Sequence, residues 1–586
     1  MKQFFKFTFA SILGVFVAGI ILMILFFVII SGIAYSSSKA GYTAQPKTVL
    51  HLKLKGELVE RSQDNPLDAI LGNYVDKDTQ IGLDDILAAV KNAKEDKNIE
   101  GIYIESGLFS ASPASIQEIR NALTDFKKSN KFIIAYGGVF MQSAYYLSAL
   151  ADKIILNPQG IVDFRGLSAR PMFLKNTFDK LGIDMQIFKV GTFKSATEMF
   201  SENKMSDASR EQITEYVHSI WNQILNDISA DRKIPVDSLN SYADRMMTFR
   251  QAEVSLKCGL VDTLMYPNDV IDMLKEKTGT KKKDNLNLAS ISEAASIPQK
   301  KKSEKEKIAI VYAAGDIDNG TSSDGIVSSD LIKDLKDVRE DENVKAVVLR
   351  VNSPGGSAYG SEQIWKEVEA IKAVKPIVVS MGDYAASGGY YISCAADYII
   401  AQPTTLTGSI GIFGIIPNMS GLLNKIGVSF DRVNTNKFSD MPNTTRPMTA
   451  DEKVIIQSYI NAGYDTFVTR CADGRKKTKE EIDNIGQGHV WTGEKALRLG
   501  LIDALGNLSD AVAKAAELAE IEKYGLEKYP KKKSFFDALI EDFSADMRTA
   551  LLKNFLGENY KQYDYLQRIQ SLNYMQARLP FELDVK

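Results

Sequence analysis

Two residues of this sequence have the types that make a nucleophile and its base, and they stand far apart: Ser387 in YAASGGYYISCAAD and Lys194 in VGTFKSATEMF. A serine hydroxyl attacks only when a base takes its proton, and a lysine is such a base only when its amine is neutral. Starting from an ordinary pKa of ~10.4, a lysine that is half neutral near pH 7 needs about 4.6 kcal/mol of preference for the uncharged form. Burial in an apolar site supplies that; exposure does not. Ser387 follows a predicted strand and opens a predicted helix, where the helix dipole favours developing negative charge. Ala385 holds the place of the first glycine of GxSxG, so the α/β-hydrolase elbow is not indicated. A third feature, SPGGS from Ser353, puts Gly355 and Gly356 at a strand end, where N–H groups stay free for an oxyanion. Taken singly, these read as a turn serine, a solvated lysine and a simple turn.

An internal repeat changes their weight. AKEDKNIEGIYI, beginning at Ala93, returns as VREDENVKAVVL at Val338, an offset of 245 residues. The same offset matches Tyr145 and Tyr146 to Tyr390 and Tyr391, Asp152 to Asp397 and Gly182 to Gly427, and KCGLVD, ending at Asp262, matches RLGLID at a slightly shorter one. The copies differ where chemistry is at stake. Gln142 stands opposite Ser387, Ser439 opposite Lys194, and Phe109 and Ser110 opposite Pro354 and Gly355. One copy holds the serine and the other the lysine, so a serine/lysine mechanism requires the two units to pack face to face.

Each unit alternates short β-branched runs, such as VKAVVLRV from Val344, with helical patterns, such as Ser361 to Ala373. That alternation predicts an α/β fold with crossover connections. Ahead of the units, Phe7 to Ser38 carries no charge and exceeds the ~20 apolar residues that cross a bilayer as a helix. Secretory signal cores run only ~7 to 15 residues, so the stretch reads as an uncleaved anchor. Lys2 and Lys6 leave the short side in the cytoplasm and the body across the membrane. The expected organisation is a stub and transmembrane anchor over 1–45, a first repeat over 46–275, a solvated linker over 276–306, a second repeat over 307–522 and a helical tail over 523–586.

Composition excludes several classes. The chain has 586 residues and 71 basic against 74 acidic side chains, a net charge of −3 that offers nucleic acid no basic field. The lysine clusters at Lys281–Lys283 and Lys300–Lys302 read as solvated charge in the linker. Cys258, Cys394 and Cys471 are odd in number, distant and without a CxxC pair, which argues for buried thiols over a disulfide framework or zinc site. His51, His218 and His489 form no HExxH pattern, and the proposed chemistry needs no metal or organic cofactor.

Together FKSATE at Lys194, VNSPGGS from Val351, YAASGGYYIS from Tyr384, TGSIGIFG from Thr407 and VWTGEKAL from Val490 resemble signal peptide peptidase A in its long, tandem-repeat form, over nearly the whole chain beyond the anchor. The resemblance implies a tandem repeat of two Clp/crotonase-like units behind one N-terminal transmembrane helix. It also implies a bacterial inner-membrane protease that degrades released signal peptides from the periplasmic side, assembled as a homo-oligomer, a tetramer in that family. By motif it carries the nucleophile onto Ser387, the general base onto Lys194, the serine that orients the lysine onto Ser409, where the first copy has Phe164, and the oxyanion donors onto Gly355 and Gly388. The nearest rivals are a crotonase-type acyl-CoA enzyme, which calls for a catalytic acidic pair, and a noncatalytic membrane scaffold. His489 in GHVWTG invites a serine/histidine triad, but the adjoining WTG reads as a structural turn.

Overall fold

A computed structural model describes residues 3–4, 6–21, 41–62, 80–298, 304–318, 325–531 and 575–578. Two sheets form the two units, the first parallel and the second parallel but for the antiparallel pair Val490–Thr492 and Leu406–Gly408. In the first, the strands run in the order Gln80–Gly82, Thr48–Val59, Ile99–Ser110, Phe132–Phe140, Lys153–Val162, Thr263–Leu264. The second has Val490–Thr492, Leu406–Gly408, Ile377–Ala386, Val344–Ser353, Lys307–Ala314 and Gly525–Tyr529 in that order. Strands such as VKAVVLRV are covered by helices on both faces, and their side chains are buried almost continuously, as a parallel sheet requires.

The 245-residue offset is structural. Helices Leu83–Glu95 and Pro113–Lys127 and strand Phe132–Phe140 return at that offset as Ser328–Glu340, Ala358–Lys372 and Ile377–Ala386. The matched residues do matched work. Tyr145 and Tyr390 each donate a buried hydroxyl to the Leu260 or Leu501 carbonyl. Near the start of the matching strands, Asp152 accepts from the Ile133 N–H and Asp397 from the Ile377 N–H. Arg232 and Arg475, in the last turns of 26-residue helices, each pair with the aspartate of the GLVD or GLID run, Asp262 or Asp503.

A third, six-stranded sheet joins the units. Asp184–Lys189 of the first unit pairs antiparallel with Phe413–Asn418 of the second over six residues. A buried polar cluster adds a second tie. Arg350 is fully buried and ion-pairs with Glu60 at 3.0 Å and Glu118 at 2.7 Å, while Asp383 accepts from the Ser115 N–H and hydroxyl. Glu60, Glu118 and Ser115 belong to the first unit; Arg350 and Asp383 belong to the second.

Two expectations are corrected. Within the supposed linker, Leu288–Ala289 adds a strand to Thr48–Val59, and Ile291–Ala295, closed by a Ser290–Glu293 capping box, presses Ala294 into the first core. Only short apolar pairs signal this docking, and they are too brief to show a period. Lys281–Lys283 are exposed, and Lys300–Lys302 lie outside the described residues. The supposed helical tail opens instead with Gly525–Tyr529 as an edge strand beside Lys307–Ala314, because Leu526 and Tyr529 extend an existing ladder. Its amphipathic stretch from Phe535 lies outside the described residues, and Gln576–Arg578 is again a strand. Residues 6–21 are helical and exposed, and 22–40 lie outside the described residues. Among the described residues no helix is long and apolar enough to cross a membrane.

Candidate active site

Ser387 sits between strand Ile377–Ala386 and helix Gly388–Ser393, as the sequence predicts. Its backbone, at φ 55° and ψ −113°, is a conformation that L-residues rarely adopt. Such strain persists only where the surroundings enforce it. Here the Ser387 N–H donates to the Gly408 carbonyl, and Gly389 abuts the Ser353 carbonyl so closely that a β-carbon would not fit. The result is a sharp elbow that turns the hydroxyl toward the other unit.

Lys194 reaches it from there. The lysine follows the joining strand Asp184–Lys189 and caps a short 3-10 turn, Ser195–Thr197. Its neighbours are pinned to the second unit: Val190 donates to the Ile412 carbonyl and Phe193 to the Gln487 carbonyl. Gly488, at φ 80°, lies against the lysine backbone, and a β-carbon there would stand 2.6 Å from the Lys194 nitrogen. Gly411 leaves room for the stem, where a β-carbon would stand 3.1 Å from Lys194 Cδ. Lys194 Nζ therefore stands 2.8 Å from Ser387 Oγ, 3.0 Å from Ser409 Oγ and 3.1 Å from the Ser409 carbonyl oxygen.

All three side chains are fully buried. Desolvation holds the Lys194 amine well below the ordinary lysine range, and among the described residues no carboxylate counters it. A neutral amine beside a hydroxyl accepts its proton, and the two oxygens of Ser409 take the amine's own N–H groups. The arrangement can therefore perform general-base activation of an alcohol.

Of the two expected oxyanion donors, Gly388 opens a helix whose first N–H groups have no intrahelical acceptor. The Gly355 N–H donates to Ser353 Oγ at 3.2 Å, within its own turn. SPGGS is not a plain turn: Gly355–Ser357 is a strand of the third sheet. His489 takes no part. Its ring stacks on Trp491 with centroids 3.6 Å apart, tilts against Phe193, and bonds through Nδ1 to the Val490 carbonyl oxygen. Burial lowers its pKa, so it packs as a neutral ring. Cys394 and Cys471 are buried free thiols and Cys258 is half-buried. The groups touching Lys194 Nζ are serine oxygens, and no acidic pair of the acyl-CoA kind stands at Ser387 among its described contacts.

Sequence reasoning missed Gln212. Fully buried in helix Asp207–Arg232, its amide donates to the Phe193 carbonyl and to Ser195 Oγ and accepts from the Val490 N–H. It braces both sides of Lys194 against the second unit. A lone glutamine among helix-surface residues gives no sign of this, and only its place 18 residues after Lys194 hints at it.

The family model for peptidase family S49 matches residues 125–281 and 369–522, and that for Clp protease matches 299–406. Protease 4 of Salmonella typhi is 39% identical over 516 residues, covering 86% of this chain and 83% of that protein. Protease 4 of Haemophilus influenzae is 33% identical, covering 90% and 87%. The chloroplastic serine protease SPPA of Arabidopsis thaliana is 30% identical, covering 73% and 64%.

Proposed function

The chain belongs to peptidase family S49 and is a serine protease, and from that premise we propose that Ser387 is its nucleophile, Lys194 its general base and Ser409 the residue that orients the lysine. The observation that carries this reading is the buried Lys194 amine 2.8 Å from the Ser387 hydroxyl. Lys194 takes the hydroxyl proton, Ser387 Oγ attacks the peptide carbonyl, and the oxyanion forms beside Gly388 and Gly355. Collapse passes the proton from Lys194 to the leaving amine. Water, deprotonated by the same lysine, then releases the acyl-enzyme. Because the dyad spans the two units, each chain builds its own site.

The substrates we propose are signal peptides freed from preproteins. The stretch Phe7 to Ser38 would hold the chain in a bacterial inner membrane, with Lys2 and Lys6 inside and the catalytic body on the periplasmic side, as part of a homo-oligomer. An anchored protease meets apolar peptides where they are left after processing. The test is hydrolysis of a synthetic signal peptide by the detergent-purified chain. Wild type is expected to cleave it while Ser387→Ala and Lys194→Ala, folded alike, do not. Cleavage of casein but not of signal peptides would separate the protease from the substrate assigned to it.

A further inference from the structure

Ser353 is the last residue of strand Val344–Ser353, fully buried, and stands just ahead of the two glycines of SPGGS. Its hydroxyl oxygen accepts the Gly355 N–H at 3.2 Å, closing a turn on the residue two positions ahead. Its backbone pairs in the sheet with Ala385, two residues before Ser387. Its carbonyl lies under the elbow, where a β-carbon at Gly389 would stand 2.5 Å from the oxygen. One residue therefore holds the SPGGS turn with its side chain and meets the helix of the nucleophile with its backbone.

These contacts set a spacing. Gly355, at φ 104°, is pressed against the start of that helix: a β-carbon on it would stand 2.8 Å from the Gly388 nitrogen and 3.0 Å from the Ala386 carbonyl oxygen. Gly388 is confined from another side, since a β-carbon there would stand 2.6 Å from the buried Ser361 hydroxyl. The backbones expected to hold the oxyanion are thus neighbours. Two successive glycines open many conformations to the turn, and the Ser353 hydrogen bond selects one of them.

The first unit offers the comparison. At the 245-residue offset Leu108 stands for Ser353, Ser110 for Gly355 and Ser143 for Gly388. Leu108 has no hydroxyl and is 71% exposed. The acceptor is absent where the glycine donors are absent.

We infer that Ser353 is a positioning residue: its hydroxyl holds the Gly355 N–H beside Gly388 and yields it to the oxyanion as the tetrahedral centre forms. This rests on the roles proposed above for Ser387 and the two glycines. In the resting site the N–H has a neutral acceptor at the long end of the hydrogen-bond range. As Ser387 Oγ bonds to the carbonyl carbon, the carbonyl electron pair moves onto oxygen, and a charged acceptor binds an N–H about twice as strongly as a neutral one. The N–H passes from hydroxyl to oxyanion with its peptide already in place, so the turn does not have to be ordered in the transition state.

The test uses the full chain as wild type, Ser353→Ala, Ser353→Cys, Leu108→Ser and Ser387→Ala, with thermal unfolding to compare folding. One readout is kcat and KM for casein over a pH series. The other is the rate of labelling by an alkyl fluorophosphonate, in which the serine oxygen bonds to phosphorus, fluoride leaves, Lys194 takes the proton and the phosphoryl oxygen stands in the oxyanion's place. Ser353→Ala should lower kcat and the labelling rate by the same factor, roughly tenfold, with KM and the pH midpoint unchanged. Ser353→Cys keeps a weak acceptor and should fall between alanine and wild type in both. Leu108→Ser should match wild type. An unchanged kcat in Ser353→Ala, slower casein hydrolysis without slower labelling, or a cysteine variant no better than alanine overturns the inference and leaves the dyad standing. A KM or pH midpoint that moves with kcat also overturns it, since a loosened fold moves all three. Should Ser353→Ala not fold, Ser353→Cys decides alone, and labelling at the wild-type rate overturns the inference. A wild type that neither labels nor cleaves casein, or a Ser387→Ala that does both, overturns the catalytic assignment and this inference with it.

Discussion

The two units place different residues at the same elbow. In the second, Ser387 turns toward Lys194 across the boundary. In the first, Gln142 begins the equivalent helix and folds back on its own unit: its carbonyl accepts from the Arg165 and Gly166 N–H groups, and its amide donates to the Gly166 carbonyl. Where the second unit has Ser409, the first has Phe164, packed edge-on against Tyr145 and tilted on Trp221. The first unit has thus filled the equivalent space with satisfied amide and aromatic groups, and extends Lys194 across the boundary. The units share a scaffold and, on the roles proposed above, divide the chemistry.

The sharpest break of this comparison is to remove the elbow residue from each half. Ser387→Ala should lower peptide hydrolysis on the order of 10^4-fold or more. Gln142→Ala should leave turnover unchanged and cost about 1–2 kcal/mol, because two N–H groups lose their acceptor, as read by urea unfolding. Equal losses of activity would mean that the first elbow is catalytic as well.

Next in size is the tie between the halves. Arg350→Ala strands the Glu60 and Glu118 carboxylates in a dry interface and should destabilise the chain by about 3–5 kcal/mol in denaturant titrations. If the units unfold in two separate steps in that variant, the cluster is what makes them cooperative.

Gly488→Ala forces a methyl onto the Lys194 backbone. A displacement of about 1 Å at a catalytic group costs around 10^2-fold in kcat. Gly138→Ala, in the first unit with open space around it, should leave kcat as it is.

The smallest effect concerns pH. Activity should rise with pH through the depressed pKa of Lys194, below the ordinary lysine range. Between that pKa and the unfolded value of ~10.4 the unfolded chain binds the extra proton, so wild-type stability climbs with pH across the window. Lys194→Met should remove this slope and stabilise the fold by about 1–3 kcal/mol at neutral pH. A slope that survives in the methionine variant assigns it to another group.

Much of this was legible in the sequence because a duplicated chain supplies its own control. The substitutions of Gln142 for Ser387 and Ser439 for Lys194 mark candidate groups without reference to any other protein, whereas Ser409, where the first copy has Phe164, is marked by the family resemblance. Ser439 is exposed at the place where Lys194 is buried, and the contrast is already present in the residue types. Gln212 and Gly488 were not legible, since their work is hydrogen bonding and close approach to backbone hundreds of residues away, which leaves no periodicity. The docking of Leu288–Ala295 and the strand Gly525–Tyr529 escaped for a related reason: elements of two to five residues are stabilised by the ladder or core they join, not by their own pattern.

The strand pair Asp184–Lys189 and Phe413–Asn418 has a consequence in time. Lys194 leaves the ribosome 193 residues before Ser387. At about 5–20 residues per second that interval is roughly 10–40 s, during which the first unit can fold around an idle amine. No hydroxyl is armed until the later strand arrives and zips onto the earlier one. On the roles proposed above, the growing polypeptide therefore carries no assembled dyad until the second unit has been made.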